Sequence, residues 1–180
     1  MKTVTVLGST GSIGSNTLDV LRRHKDKFQV FGLVAGRNLD ALLPQILEFR
    51  PRLVAVASEE TMADLADRLA AADLPKREWP QLGCGARARV EAVVAPEVDF
   101  VMSAIVGVAG LEATYEAVRL GKTIGFANKE VLVASGRLVL EAARSAGAEL
   151  IPVDSEHNGV HQCLRAGRRC EVSLVILTAS

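Results

Sequence analysis

Short apolar runs alternate with longer amphipathic segments along most of the chain. The runs are four to seven residues long and rich in Val, Ile and Leu, which indicates strands buried on both faces of a sheet. The segments between them place apolar residues at helical spacing. This alternation predicts an α/β fold, a Rossmann-like, doubly wound and mainly parallel sheet covered by helices. The expected strands cover residues 4–7, 29–35, 53–57, 99–104, 123–127 and 149–153, and the expected helices cover residues 12–24, 40–49, 59–72, 111–120 and 129–146.

The remaining stretches follow this pattern less closely. Residues 73–85 contain Pro75 and Pro80 and predict an irregular surface stretch. Asp40 stands where the second helix is expected to begin, so it is the expected N-cap of that helix. A last apolar run at residues 172–177 predicts a further strand.

The chain is expected to divide into two domains. Residues 1–153 form the expected Rossmann-like domain, and residues 154–180 form the beginning of a second domain that would carry catalysis. The chain stops at Ser180, directly after the last apolar run and without a charged tail. We therefore expect a chain that is truncated before its second domain is complete.

Composition narrows the class of protein. Among 180 residues, Lys and Arg number 21 and Asp and Glu also number 21, so the formal net charge is zero and no nucleic-acid or membrane surface is indicated. Cys84, Cys163 and Cys170 form no CxxC pair, which favours free thiols in a reducing compartment. The sequence shows neither a signal-peptide pattern nor an apolar run of membrane-spanning length. We expect a soluble, cytoplasmic protein.

A glycine-rich turn joins the first predicted strand to the first predicted helix. Its glycines, Gly8, Gly11 and Gly14, follow the spacing GxxGxxG, a variant of the dinucleotide-binding fingerprint. Gly8 permits a tight turn, Gly11 permits a pyrophosphate to approach the backbone, and Gly14 permits the helix to lie close to the sheet. Free N–H groups near residues 10–13 would then bind the anion, assisted by the helix dipole. The alternative is a strand–helix turn that binds no ligand.

The end of the second predicted strand indicates which dinucleotide binds. NAD-binding units usually carry Asp or Glu there, and this acid binds the ribose 2′-hydroxyl. This chain has Arg37 at that place, followed by Asn38, and a guanidinium suits a 2′-phosphate. We therefore expect NADPH rather than NADH as the cofactor. The alternative is that Arg37 is a solvated loop residue.

Three polar residues follow directly on the strand predicted at residues 123–127. Lys129 can hold an anionic or oxygen-rich substrate, while Asn128 and Glu130 can position the ribose or nicotinamide side of the cofactor. Open parallel sheets bind their ligands at this carboxyl edge. The alternative is an ordinary helix start, with Asn128 as the N-cap and Glu130 in the first turn.

A second polar cluster follows the strand predicted at residues 149–153. Asp154 and Glu156 are two residues apart, and in an extended segment their carboxylates would point to the same side. Two such groups suit Mg²⁺ or Mn²⁺, although water, substrate and a further carboxylate are needed to complete the site. The alternative is again a helix start, capped by Asp154 or Ser155.

Five short motifs together resemble one enzyme family. They are LGSTGSIG at residues 7–14, AGRN at 35–38, AIVG at 104–107, ANKE at 127–130 and PVDSEHN at 152–158. Their order and spacing are similar to those of 1-deoxy-D-xylulose 5-phosphate reductoisomerase, and the similarity covers the whole chain. The resemblance implies a cytosolic homodimeric enzyme of non-mevalonate isoprenoid biosynthesis. It would rearrange 1-deoxy-D-xylulose 5-phosphate and reduce the product with NADPH, with Mg²⁺, Mn²⁺ or Co²⁺ as the Lewis acid.

The resemblance implies a role for each matching residue. Lys129, Asp154 and Glu156 would be catalytic, and the two carboxylates would bind the metal. The family often has Lys where this chain has Arg37, so the positive charge is kept. The residues implied to contact the substrate are Lys129, Ser155, Glu156 and Ser180. The residues implied to contact NADPH are Thr10, Gly11, Ser12, Ile13, Gly36, Arg37, Asn38, Asn128 and Glu130.

The chain departs from the family in length. Family chains continue well beyond residue 180, and that part holds a third metal carboxylate, the active-site flap and further phosphate-binding groups. The 180-residue chain is therefore expected to bind NADPH without turnover. Two other functions stay open. One is another two-domain NADP-dependent dehydrogenase, which the cluster at residues 154–156 disfavours, and the other is a non-catalytic NADP-binding module.

Overall fold

The computed structural model describes residues 1–72 and 74–177, which form a parallel sheet with helices on both faces. The strands are β1 (Lys2–Leu7), β2 (Phe28–Val34), β3 (Leu53–Val56), β4 (Gln81–Cys84), β5 (Phe100–Ser103), β6 (Thr123–Phe126) and β7 (Leu150–Pro152). The helices are α1 (Ser12–Arg23), α2 (Leu39–Phe49), α3 (Glu59–Ala71), α4 (Gly85–Val94), α5 (Leu111–Arg119), α6 (Lys129–Ala146) and α7 (Ser155–Arg165). None of these helices in the described ranges is long and apolar enough to cross a membrane. The predicted α/β class with a doubly wound sheet is confirmed.

The order of the strands places a crevice at the centre of the sheet. The order is β4-β3-β2-β1-β5-β6-β7, and every neighbouring pair is parallel. The chain builds outward from β1 to β4 and then returns to the other side of β1 to add β5, β6 and β7. The connections from β1 and β5 therefore lead away from each other, and a crevice opens between their carboxyl ends. Open α/β sheets bind their ligands at such a switch point.

Two buried layers hold the helices against the sheet. Val4 and Val6 of β1 face the layer formed with α1, α2 and α3, which includes the fully buried Leu42 and Leu65. Leu7 of the same strand faces the opposite layer, formed with α4, α5 and α6. Each fully buried aliphatic side chain stabilises the fold by roughly 1.5–3 kcal/mol relative to an exposed one. Burial on both faces explains why the strands appear in the sequence as continuous apolar runs.

Residues 73–85, predicted to be irregular, contribute a strand to the sheet. β4 pairs with β3 at the sheet edge, and α4 then begins at Gly85 and packs against α5. β4 has a single large aliphatic residue, Leu82, and α4 buries Ala88, Ala92 and Val93, two of which are small. The prediction was wrong here because an edge strand and an alanine-faced helix carry little hydrophobic signal.

Residues 172–177 do not form the predicted strand. Within the described part of the chain this run pairs with no strand, and its large side chains are exposed, Ile176 by 77%. A strand is stable only beside a hydrogen-bonded neighbour, and an apolar run does not supply that neighbour by itself. The prediction was wrong because it rested on the apolar pattern alone.

The second helix begins one residue earlier than predicted, and Asp40 is not its N-cap. α2 starts at Leu39, and the side-chain Oδ1 of Asn38 accepts a hydrogen bond from the Ala41 N–H at 3.2 Å. Asp40 lies inside the first turn, where its carboxylate pairs with Arg68 of α3 at 2.5 Å. Asn and Asp are comparably good N-caps, so the path of the backbone decides which of the two caps the helix.

Candidate active site

The glycine-rich turn after β1 has the geometry that the sequence predicts. Gly8 has a φ of 85°, a left-handed conformation that favours glycine, and a Cβ there would lie 2.6 Å from the carbonyl oxygen of Ala104. A Cβ on Gly14 would collide with the Gly8 carbonyl oxygen and would lie 2.7 Å from the Cα of Ser9. The turn therefore packs closely against the end of β5 on one side and against the start of α1 on the other.

The first turn of α1 offers backbone N–H groups to a ligand. Gly11 is the N-cap and has no side chain to accept hydrogen bonds from them, and the half-buried Thr10 precedes it. Among the described atoms, a Cβ on Gly11 would come within 4 Å only of the Gly8 carbonyl oxygen, at 3.4 Å. Exposed Ser12 and Ile13 thus present N–H groups beside an open space, which suits an anion such as a pyrophosphate.

Arg37 lies in the exposed loop between β2 and α2, where the sequence predicts a 2′-phosphate site. Its guanidinium forms no ion pair with any side chain that the structure describes. A Cβ on the neighbouring Gly36 would meet no atom within 4 Å, so the loop leaves room on that side. Asn38 uses its side-chain oxygen to cap α2, which leaves its amide N–H groups for a ligand. Asp40, the acid closest in sequence, is partly neutralised by Arg68.

The loop after β6 places Asn128 in the interior and the two charged residues that follow it on the surface. As the helix-start alternative proposed, Asn128 is the N-cap of α6, and its Oδ1 accepts a hydrogen bond from the Val131 N–H at 3.2 Å. Its Nδ2 also donates to the carbonyl oxygens of Ile105 and Gly107, the latter at 2.7 Å. The side chain therefore links the loop after β6 to the loop after β5.

The polar cluster after β7 starts a helix, so the predicted extended arrangement of its two carboxylates is wrong. α7 begins at Ser155, with Asp154 at the N-cap position and Glu156 in the first turn, where the helix dipole favours acids. The pKa of Glu156 is lowered, first by hydrogen bonding with Asp154, then by its own backbone N–H and by the Ser155 hydroxyl, which donates to Oε2 at 3.0 Å. Lys129 Nζ lies 4.0 Å from Asp154 Oδ2. The fold thus brings Lys129 beside Asp154.

One cleft joins these elements at the carboxyl edge of the sheet. It has a volume of about 280 Å³ and opens between the ends of β1, β5, β6 and β7. The glycine-rich turn, the ANKE motif and Asp154 all contribute to its walls, so three stretches that are distant in the sequence meet here. The lining residues are Gly11, Ser12, Ile13, Ala104, Ile105, Val106, Ala127, Asn128, Lys129, Glu130 and Asp154.

Some of the predicted site residues lie away from this cleft. The loop at residues 35–38 follows β2, on the other side of β1 from the lysine. Ser155 and Glu156 line a separate hollow between α7 and residues 172–177. Ser180, one of the predicted substrate contacts, lies outside the described residues. Within residues 1–72 and 74–177, no group of three or more His, Cys, Asp or Glu side chains is arranged to hold a metal ion.

Ile105 and Val106 line the cleft although the sequence assigned them no individual role. They follow β5, and the main chain of Ile105 approaches both the glycine-rich turn and Asn128. A useful signal was present, because they follow a predicted strand in the same way as the predicted polar sites do. It could not be used without knowing that β5 lies between β1 and β6.

Comparison with known proteins identifies the family. The sequence profile of 1-deoxy-D-xylulose 5-phosphate reductoisomerase matches residues 4–136. The chain belongs to the 1-deoxy-D-xylulose 5-phosphate reductoisomerase family. The matched range includes the glycine-rich turn, Arg37 and the ANKE motif. The resemblance inferred from the five motifs is thereby confirmed.

Reductoisomerases from several bacteria are similar to the whole chain. The 1-deoxy-D-xylulose 5-phosphate reductoisomerase of Solibacter usitatus (strain Ellin6076) is 67% identical over 180 residues, and that of Geotalea uraniireducens (strain Rf4) is 47% identical over 180 residues. Each comparison covers 100% of this chain and 45% of the relative. The chain therefore spans less than half the length of these reductoisomerases.

Solved reductoisomerase structures share the fold. A DOX-P reductoisomerase in complex with NADPH, fosmidomycin and magnesium is 36% identical, with a TM-score of 0.84 over 91% of this chain and 39% of that chain. The 1-deoxy-D-xylulose 5-phosphate reductoisomerase from Zymomonas mobilis in complex with NADPH is 43% identical, with a TM-score of 0.82 over 91% of this chain and 41% of that chain. The sheet and helices described above are thus the fold of this part of the family.

Proposed function

We propose that this chain forms the NADPH-binding part of an enzyme that converts 1-deoxy-D-xylulose 5-phosphate to 2-C-methyl-D-erythritol 4-phosphate in non-mevalonate isoprenoid biosynthesis. The observation that carries the proposal is the cleft, where the anion-binding turn, Lys129 and Asp154 meet at one edge of the sheet. The reaction couples a rearrangement to a reduction, so it needs a hydride donor beside groups that bind substrate oxygens. A solved relative that contains NADPH, fosmidomycin and magnesium supports this assignment.

NADPH would lie across the carboxyl ends of the central strands. The N–H groups of Ser12 and Ile13 would hold the pyrophosphate, and Thr10 and Gly11 would line its approach. Arg37, with Gly36 and Asn38 beside it, would bind the 2′-phosphate as a charged donor. The nicotinamide end would then enter the cleft, near the main chain of Asn128 and the side chain of Glu130. The residues implied by the family resemblance for NADPH therefore follow one path along the sheet edge.

A divalent cation, Mg²⁺, Mn²⁺ or Co²⁺, would bind at Asp154 and Glu156. The donor set fits such an ion because hard cations prefer carboxylate oxygens and because Asp154 and Glu156 lie two residues apart at the start of α7. The pair supplies only some of the roughly six ligands that these cations take, so water and substrate oxygens would complete the shell. When bound, the cation polarises a carbonyl group and its neighbouring hydroxyl.

Lys129, Ser155, Glu156 and Ser180 would bind the substrate. The exposed ammonium group of Lys129 stands at the mouth of the cleft beside Asp154, where it can hold a substrate oxygen next to the cation. We place the domain boundary here, with residues 1–153 as the NADPH-binding domain and residues 154–180 as the beginning of the catalytic domain. For the full-length enzyme we propose a cytoplasmic homodimer, as the family resemblance implies.

The 180-residue chain is expected to bind NADPH more tightly than NADH, because Arg37 replaces the acid that favours NADH. An Arg37→Glu variant should lose about tenfold or more in NADPH affinity, since a hydrogen bond to a charged group contributes about 1.5–3 kcal/mol. Calorimetry with both cofactors measures this. The control is Arg77→Glu. Arg77 is exposed and precedes β4, so it lies at the amino ends of the strands, whereas Arg37 lies at their carboxyl ends. Equal affinity for NADPH and NADH in the unaltered chain would refute the proposed cofactor.

Mn²⁺ is expected to bind this chain weakly, with a Kd on the order of 10⁻³ M, because two carboxylates leave most of the coordination shell to water. Asp154→Asn and Glu156→Gln should each remove most of that binding, which electron paramagnetic resonance of Mn²⁺ detects directly. Asp67→Asn, an exposed acid on α3, is the control. Unchanged Mn²⁺ affinity in both site variants would contradict the metal assignment.

The 180-residue chain should show no steady turnover when NADPH oxidation is followed with substrate and Mn²⁺. Steady turnover would mean that these 180 residues contain a complete catalytic set.

A further inference from the structure

Asn128 is buried, with 3% of its surface exposed, and its carboxamide has three hydrogen-bond partners. Oδ1 accepts from the Val131 N–H, while Nδ2 donates to the carbonyl oxygens of Ile105 and Gly107. Turning the amide around would set its oxygen against two carbonyl oxygens and its nitrogen against an N–H group. The partners therefore fix its orientation, and both side-chain N–H donors are committed inside the protein.

These hydrogen bonds join the two walls of the cleft. One wall is the loop at residues 104–107, which contributes Ile105 and Val106. The other wall is the start of α6, which carries Lys129 and Glu130. Asn128 is the one side chain that bonds to the main chain of both walls among the described residues.

The loop at residues 104–107 is held at its first two residues by the main chain of Ala104 and by the side chain of Ile105, which packs against the core. The Ala104 N–H donates to the Leu7 carbonyl oxygen at 2.9 Å, which continues the pairing of β5 with β1. The side chain of Val106 is 85% exposed, so packing does not hold this part of the loop in place. Gly107 has a φ of 73°, and its carbonyl oxygen turns inward to Asn128. Beyond Ile105, the position of the loop therefore depends on the Asn128 carboxamide.

We propose that Asn128 is a positioning residue: its side chain fastens the loop at residues 104–107 to the start of α6 and thereby sets the width of the cofactor cleft. In this role the side chain does not itself contact NADPH, and any cofactor contact at this residue is made by its main chain. The inference rests on the proposed function only in naming NADPH as the ligand. The fastening itself is a property of the protein without ligand.

Two variants of Asn128 separate its role as the N-cap of α6 from its hydrogen bonds to the loop at residues 104–107. Asn128→Ser keeps an oxygen that caps α6 but is too short to reach the two carbonyl groups. Asn128→Asp keeps the shape and the capping oxygen but sets a second oxygen against those carbonyls. In both variants, hydrogen exchange of residues 105–110 should become faster in the absence of cofactor, and the NADPH Kd should rise roughly tenfold as hydrogen bonds in the wall are lost. Ser58→Ala, which removes the N-cap of α3, is the control for loss of a cap and should change neither measurement.

Each outcome decides the proposal. Weaker NADPH binding with unchanged exchange in the ligand-free variants would overturn it, because that is the behaviour of a direct ligand. Faster exchange with unchanged NADPH affinity would overturn it as well, because the loop would then not affect the cofactor. If Asn128→Asp does not fold, Asn128→Ser still provides both measurements. An unaltered chain that binds no NADPH would refute the proposed function, while the exchange measurement would still report on the fastening.

Discussion

Replacing Gly11 by valine is expected to abolish NADPH binding while the fold persists. The backbone of Gly11 is extended, with φ −80° and ψ 172°, a conformation that valine adopts readily. The added Cβ would come near only the Gly8 carbonyl oxygen, at 3.4 Å, among the described atoms. The free energy of unfolding should therefore fall by no more than about 1 kcal/mol, the cost of a poorer N-cap. The methyl groups would instead fill the space before the N–H groups of Ser12 and Ile13, where the pyrophosphate must approach.

Thermal unfolding with and without NADPH tests this expectation. The unaltered chain should be stabilised by saturating NADPH, and Gly11→Val should unfold at the same temperature with or without it. Gly136→Val supplies a control of the same size, because a Cβ there would meet only the Leu132 Cβ, at 3.9 Å among described atoms, on a helix away from the turn. Retained stabilisation of Gly11→Val by NADPH would mean that the phosphates bind elsewhere.

Replacing Gly14 by alanine is expected to destabilise the protein strongly, even though alanine is the better helix former. Helix propensity alone would favour alanine by about 1 kcal/mol. A Cβ on Gly14, however, would collide with the Gly8 carbonyl oxygen and lie 2.7 Å from the Ser9 Cα. These are backbone atoms, so no change of side-chain conformation relieves the contact, and α1 must move away from the turn. We expect a loss of about 3 kcal/mol in the free energy of unfolding.

Denaturant unfolding and thermal melting measure this loss. For a domain of this size, 3 kcal/mol corresponds to a decrease in Tm of roughly 10 °C. Gly159→Ala is the matched control, because Gly159 lies inside α7 and a Cβ there would meet no described atom within 4 Å. That substitution should leave the stability unchanged or raise it. A Gly14→Ala variant as stable as the unaltered chain would show that α1 does not need to approach the turn this closely.

The central strands and most helices were predictable because their signal is local. β1, β2 and β5 are buried on both faces, and burial of this kind requires continuous apolar runs. β4 and α4 escaped prediction because a half-exposed edge strand and an alanine-faced helix place few large apolar residues in the sequence. The run at residues 172–177 shows the converse, since apolar residues without a neighbouring strand do not make one.

Short-range features of the site were also present in the sequence. The spacing of Gly8, Gly11 and Gly14 predicts the turn because the strand end, the turn and the helix start are consecutive in the chain. The absence of an acid and the presence of Arg37 after the second strand predict the cofactor for the same reason. The N-cap of α2 was not decided by the sequence, because Asn38 and Asp40 are both suitable and only the backbone path selects Asn38.

By itself, then, the sequence determined the α/β class and the glycine-rich turn, and it predicted NADPH as the cofactor, since each depends on residues that are neighbours along the chain. The tertiary structure alone decided that this turn, Lys129 and Asp154 share one cleft, because their meeting depends on the order β1-β5-β6-β7. It also decided the further hydrogen bonds of Asn128, whose sequence pattern indicates only a helix cap. Its other two hydrogen bonds reach carbonyl groups more than twenty residues away in the chain. No pattern of neighbouring residues encodes such a contact, because folding creates it.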